Sequence, residues 1–369
     1  MQARSVYNFA AGPGVMPREV LLEARRELLD CRRSGMSILE MPFTGEEFQG
    51  IVRQARCDLR ELLGLPSNYH VLFLPGGAST QFSLLPMNLL PPDGRADYAD
   101  TGHWSRKAIA EARRYVRVNL AASGAVYGYR RLPRGRDWRL DPRAGYCHIT
   151  SNETADGLTY HRLPDAQGIP LIADMTSDFL SRPIDVERFG VIYAGAQKNI
   201  GPAGMTLVIV RDDLLRPAWP ACPSTFSYRI QVESDNRFNT PPTHAIYLAG
   251  LVFRWLRAQG GLGAMAARNR RKSEKLYTFI DASEFYACEQ QVADRSRMNV
   301  CFQLAVPSLT CEFVEQARRE GLLNLQGHSA VGGLRASLYN AMPEAGVDAL
   351  IAFMEAFALR HGRALRRFG

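Results

Sequence analysis

Lysine is almost missing from this chain. Of 45 basic residues in 369, four are lysines, which leaves 41 arginines, a bias we ascribe to the base composition of the coding DNA. Long apolar runs are missing too. None reaches the roughly 20 residues that a bilayer-spanning helix needs. Met1-Gln2-Ala3-Arg4 leads into Asn8-Phe9-Ala10-Ala11-Gly12 without an apolar leader, so neither a membrane span nor a signal peptide is expected. The seven cysteines (Cys31, Cys57, Cys147, Cys222, Cys288, Cys301, Cys311) are odd in number and show no CxxC spacing. That argues against a disulfide framework and a thiolate metal centre, and for reduced thiols in the cytoplasm. Acidic residues are outnumbered, 37 to 45, for a net charge of +8. The excess is dispersed, with clusters at 268–272 and 360–367 that carry no interleaved aromatics and no recognition motif. These read as a solvated helix face and a basic tail, and no nucleic-acid partner is expected.

With 46% hydrophobic and 22% charged residues, the composition is that of a globular protein, and the length favours two domains. Helical patterns cover 17–33 and 46–63, the first opened by Pro17 and followed by Gly35. Short apolar strands then alternate with amphipathic helices: strand 70–74, helix 78–90, strand 97–100, helix 104–115, strand 116–120. Further strands are expected at 146–150, 170–174, 191–195 and 205–210. This alternation predicts an α/β fold with a mostly parallel sheet between helices, and ligand groups at the carboxyl ends of the strands. Pro, Ser, Thr and Asn dominate 218–242, an irregular connection. Helices at 243–258 and 262–280 lead to a smaller α+β unit with strands near 298–305 and 333–339 and helices near 310–320 and 347–360. The boundaries expected are an arm at 1–16, a large domain at 17–258 and a small C-terminal domain at 259–369.

Three of the four lysines, Lys107, Lys272 and Lys275, lie in polar helical stretches where a solvated ammonium is expected. Lys198 does not. It follows the apolar run Val191-Ile192-Tyr193-Ala194-Gly195 and opens Lys198-Asn199-Ile200-Gly201-Pro202-Ala203-Gly204, while a second apolar run, Pro170-Leu171-Ile172-Ala173, ends in Asp174. Alone, such a lysine is more often a turn residue than a cofactor anchor, and such an aspartate more often a helix cap. A third element changes the balance: Pro75-Gly76-Gly77-Ala78-Ser79-Thr80 links a strand to a helix, where glycines and first-turn amides admit an anion. An amine to join an aldehyde carbon, an acid to hold a ring nitrogen protonated and a cradle for phosphate are together what pyridoxal phosphate (PLP) requires.

Several longer runs resemble the phosphoserine aminotransferase family. They include Asn8-Phe9-Ala10-Ala11-Gly12-Pro13, Asp100-Thr101-Gly102-His103-Trp104-Ser105, Thr150-Ser151-Asn152-Glu153-Thr154, Ile192 to Gly204, and Gly332-Gly333-Leu334-Arg335. The resemblance implies the fold type I of PLP-dependent transferases, with a seven-stranded sheet in the large domain. It also implies a cytoplasmic homodimer with shared active sites, acting on small amino acids and 2-oxo acids in serine biosynthesis. Carried over to matching positions, Lys198 holds the cofactor and shuttles a proton, Asp174 pairs with the ring nitrogen, Trp104 stacks on the ring and Thr154 bonds the phenolic oxygen. Ala78, Ser79 and Gln197 hold the phosphate, Asn239 and Thr240 reach it from the partner subunit, and Arg335 clamps the substrate α-carboxylate. His328 falls in the substrate pocket.

The departures from the family pattern concern the substrate side chain. A His-Arg pair is expected where Phe43 and Thr44 stand, and a Gly-His-Arg run where Gly327-His328-Ser329 stands. A charge-assisted contact is worth about 1.5–3 kcal/mol, so losing two arginines lowers phosphate affinity by roughly two orders of magnitude unless other groups replace them. Two readings follow: the family reaction, 3-phosphohydroxypyruvate and glutamate to phosphoserine and 2-oxoglutarate, with rearranged anion contacts; or a divergent paralogue acting on a less anionic substrate. A PLP lyase of the cysteine desulfurase kind needs a reactive loop cysteine, for which Cys222 is the one candidate.

Overall fold

The computed structural model describes residues 6–365; the first residues of the expected arm and the end of the basic tail lie outside that range. Seven strands form the central sheet: β1 (Tyr69–Pro75), β2 (Arg95–Asp100), β3 (Arg117–Ser123), β4 (Cys147–Thr150), β5 (Leu171–Asp174), β6 (Phe189–Gly195) and β7 (Met205–Arg211). Their order is β1-β7-β6-β5-β4-β2-β3. β7 runs antiparallel to both neighbours, and the other pairings are parallel. β5 and β6 are buried along their whole length, which is why they read as unbroken apolar runs.

Side chains alternate between two apolar clusters, one on each face of the sheet. Leu171 and Ala173 face one, Ile172 the other; Ile192 and Ala194 face the first, Val191 and Tyr193 the second. Helices α2 (Glu46–Leu63) and α5 (Thr243–Ala258) cover the first face. α3 (Thr80–Leu89) and α4 (His103–Ala112) cover the second. The period of two along each strand is thus matched by helices on both sides.

A third cluster gathers the C-terminal elements. α6 (Gly261–Asp281), α7 (Thr310–Arg319) and α8 (Glu344–Leu365) pack with a three-stranded antiparallel sheet of β8 (Tyr286–Ala287), β9 (Asn299–Leu304) and β10 (Leu334–Ser337). Phe9 belongs to this cluster as well. Tyr7–Asn8 pairs in parallel with Leu322–Leu323, so the start of the described arm lies on the C-terminal unit, while Gly14 N donates to Gln197 O at 2.7 Å beside the cavity. α6 contributes Leu262 and Met265 to the large cluster and Leu276 and Ile280 to the small one.

Two sequence expectations are corrected here. The helix expected over 17–33 runs as α1 only from Arg18 to Arg26. Cys31 is drawn fully into the core, and Arg32 and Arg33 take positive φ to return the chain. Lys272 is not solvated but 0% exposed. It lies on the inner face of α6, where burial lowers its pKa and three carbonyls oppose that pull. Its Nζ donates to Leu338 O at 2.9 Å, Tyr339 O at 2.7 Å and Met342 O at 3.1 Å, which fills all three donors of an ammonium.

Candidate active site

The carboxyl ends of β1, β4, β5 and β6 meet at one edge of the sheet, and a cavity of about 330 Å³ opens there. After β6 the chain turns through Ala196, whose N–H donates to Met205 O at 2.9 Å and whose carbonyl accepts from Gly201 N at 2.9 Å. This turn fixes Lys198. Its amine donates to Thr154 Oγ1 at 2.6 Å, and burial lowers its pKa to about 8 against the pull of Asp174 in the other direction. A shift of that size is about 3 kcal/mol in favour of the neutral amine. Asp174 ends β5, with Oδ1 accepting from Thr176 N at 2.9 Å. Burial raises its pKa, so a ring nitrogen that brings a proton supplies the partner this carboxylate lacks.

Beyond β1, Gly76 takes φ +101°, which leaves any side chain there strained, and its N–H donates to Gly204 O at 2.9 Å. Gly77, Ala78 and Ser79 then face the cavity just ahead of α3, where first-turn amides favour an anion. An amine, an acid and an amide cradle thus share one cavity, and Trp104 forms a wall of it. Trp104 Nε1 and Thr150 Oγ1 have no hydrogen-bond partner among the described residues. The donor set fits PLP: Lys198 for the aldehyde carbon, Asp174 for the ring nitrogen, Trp104 for the ring face, and residues 77–79 for the phosphate.

Trp104 is held by two buried acids. Glu153 Oε2 accepts from Trp104 N and its Oε1 from Ser105 N, both at 2.9 Å, and Asp156 Oδ2 accepts from His103 N at 2.8 Å. These are the free amides at the start of α4, where a carboxylate is stabilised. Burial and the neighbouring Asp156 raise the Glu153 pKa. A Cβ at Gly102 would lie 2.4 Å from Asp156 Oδ2, so a glycine is required for this approach. Arg335, on β10, crosses from the C-terminal unit and donates from Nη1 to Thr154 O at 3.1 Å. Thr154 therefore ties the amine and the guanidinium together.

Of the residues singled out from sequence, Ala78, Ser79, Trp104, Thr154, Asp174, Gln197, Lys198, His328 and Arg335 all line this cavity. Phe43, Thr44, Asn239 and Thr240 do not. Phe43 packs against the core beneath the sheet, Thr44 and Thr240 are exposed, and Asn239 Oδ1 accepts from Gln231 Nε2 at 2.9 Å. Cys222 is buried away from the cavity, and burial raises its thiol pKa, the reverse of what a reactive thiol requires. Sequence reasoning gave no individual role to Ala11, Gly12, Phe82, Thr150, Asn152, Thr176 and Ser177, which also line the site, nor to Glu153 and Asp156. Asn152 and Glu153 stand beside Thr154 in the same run, which was the available signal.

Comparison with known proteins agrees with this geometry. The family model described as aminotransferase class-V matches residues 6–350. The chain is 54% identical to a phosphoserine aminotransferase of Laribacter hongkongensis, over 97% of this chain and all of that one. It is 55% identical to that of Hahella chejuensis, over 96% and 98%. Among solved structures, phosphoserine aminotransferase from Bacillus circulans superposes with a TM-score of 0.95 at 44% identity, covering 97% of this chain and 99% of that one. The PLP-bound enzyme from Trichomonas vaginalis gives 0.90 at 42% identity, covering 95% and 100%.

Proposed function

The chain belongs to the phosphoserine aminotransferase family of class-V aminotransferases and is a PLP-dependent transaminase; on that premise we propose that it converts 3-phosphohydroxypyruvate and glutamate to phosphoserine and 2-oxoglutarate, in serine biosynthesis. One observation carries the site assignment: Lys198 Nζ and Arg335 Nη1 both bond Thr154. The guanidinium that clamps an α-carboxylate is thereby held at a fixed distance from the amine that must reach the adjacent α-carbon. The cofactor, when bound, supplies an electron sink for the α-carbanion. Lys198 moves the proton on and off the substrate α-carbon, and its lowered pKa suits a base working near neutrality. Asp174 keeps the ring nitrogen protonated, and the Trp104 indole shields the ring from water. Full-length relatives that share this reaction name support phosphoserine over a less anionic substrate.

The same reading makes the protein a cytoplasmic homodimer. Asn239 and Thr240 are absent from their own chain's cavity, and they follow Phe238, a large apolar side chain left 47% exposed. Reaching the partner's cofactor phosphate accounts for both facts.

The test is a panel of amino donors in single-turnover half-reactions. Phosphoserine and glutamate are expected to lead, and Lys198→Ala is expected to lose both the visible absorbance of bound cofactor and turnover. A neutral amino acid as best donor would replace this reading with the divergent paralogue. A Lys198→Ala protein that still transaminates would overturn the site itself.

A further inference from the structure

Basic side chains gather around Trp104: His328 and Arg335 line the cavity with it, while His103 and Lys107 approach its ring from α4 without lining the cavity. His328 lines the cavity, and its ring centroid lies 4.2 Å from that of His103 and 6.2 Å from that of Trp104. Lys107 stands one turn beyond His103 on α4, on the same face, with Nζ 5.1 Å from the Trp104 ring centroid. Besides burial, the groups that lower the His103 pKa are His328, Lys107 and Arg106. For His328 they are Arg335, Lys107 and Lys198. All but His328 itself are cations. The nearby carboxylates of Glu153 and Asp156 accept from the amides of residues 103–105, and Asp156 also faces Arg106 and Arg335 while Asp174 faces Lys198. Lys107 makes no ion pair with any described residue, unlike Lys275, also exposed, which pairs with Asp348.

Hydrogen bonding also leaves donors available here. Ala330 N donates to His328 Nδ1 at 3.1 Å. The neutral ring therefore carries its proton on Nε2. His103 Nε2 is buried and has no hydrogen-bond partner among the described residues. A neutral imidazole pair and a lysine are suited to a phosphate: two fixed N–H donors and one point charge.

We propose that Lys107, with His103 and His328, forms the subsite for the distal anion of the substrates, the phosphate of phosphoserine and the side-chain carboxylate of glutamate. This rests on the reaction assigned above. With the α-carboxylate on Arg335 and the α-carbon facing Lys198, the substrate side chain extends toward the wall of Trp104 and His328, and its anion ends among these three groups. Lys107 supplies the charge that Phe43, Thr44 and Ser329 do not.

The experiment compares holoenzymes of wild type, Lys107→Gln and Lys107→Arg. Half-reactions with phosphoserine, glutamate and L-alanine are measured, along with calorimetric binding of 3-phosphonopropionate, which carries both anions and no amino group. For Lys107→Gln we expect KM for phosphoserine to rise about tenfold, equivalent to about 1.4 kcal/mol, with kcat changed less than about twofold. The phosphoserine-to-alanine ratio of kcat/KM should fall by about the same factor, phosphonopropionate should bind about tenfold more weakly, and Lys107→Arg should recover most of the loss. Unchanged phosphonopropionate binding in Lys107→Gln would overturn the subsite. So would an equal loss for phosphoserine and alanine, which would assign Lys107 to support of Trp104. A wild-type enzyme that binds phosphonopropionate through Lys107 but does not turn over phosphoserine would instead sink the assigned reaction and leave the anion subsite standing.

Discussion

Lys198 and Lys107 differ in what surrounds them rather than in chemistry. Burial makes Lys198 a nucleophile near neutral pH: with a pKa of about 8, roughly a tenth of it is neutral at pH 7, against about one part in three thousand for an ordinary lysine. Because the neutral amine is the reactive form, the rate of PLP uptake by the cofactor-free protein should rise with pH and level off above about pH 8. Stopped-flow absorbance measures it, and a rate still climbing steeply at pH 10 would contradict the lowered value. Glu153, whose carboxylate accepts from Trp104 N and Ser105 N, is expected to act through Trp104 as a positioning residue. Glu153→Gln turns an amide N–H₂ toward backbone donors, so we expect a loss of about 1–3 kcal/mol in stability. A change in the near-ultraviolet circular dichroism of bound PLP should accompany it. Glu153→Asp should recover the signal in part, and an unchanged spectrum in the glutamine variant would remove Glu153 from this role.

At the level of elements, α6 holds the two units in register. Lys272 fastens the turn after β10 through three carbonyls. From the same helix Asn269 Nδ2 donates to Asn340 Oδ1 at 2.8 Å, and Asn340 N donates to Asn199 Oδ1 at 3.0 Å. Asn199 is the residue after Lys198, so this chain of amides links the strand that bears Arg335 to the turn that bears the amine. Lys272→Met should strand the carbonyls, lowering stability by about 2–4 kcal/mol in urea melts. It should also raise KM for every amino donor alike, since Arg335 and Lys198 lose their common frame. A change confined to phosphoserine would contradict that account.

For the molecule as a whole, Lys198, Asp174, Trp104 and Arg335 line the cavity of a single chain, while Asn239 and Thr240 remain outside it. Full retention of PLP should therefore depend on association. Sedimentation at decreasing protein concentration should show cofactor loss in step with dissociation, and Asn239→Ala with Thr240→Ala should weaken PLP binding about tenfold or more without changing the monomer fold. A monomer holding a full complement of PLP would exclude the partner's contribution.

Sequence by itself determined the alternation of strands and helices, because a two-residue period covered on both faces leaves unbroken apolar runs such as Val191 to Ala194. It also marked Lys198, Asp174 and the Gly76-Gly77 turn, since chemistry at strand ends demands those residue types in that order. Burial and convergence were decided only by the tertiary structure. Lys272 sits in a run of basic residues that reads as solvated, yet α6 turns that one position inward onto three carbonyls. Glu153 reads as one member of a family run, and only packing of α4 against the loop after β4 makes it a cap for Trp104. His103 and Lys107 share α4, whereas His328 lies more than 200 residues further along the sequence. No local pattern links His328 to that helix face, because an electrostatic field in a cavity belongs to the assembled walls and not to any one segment of chain.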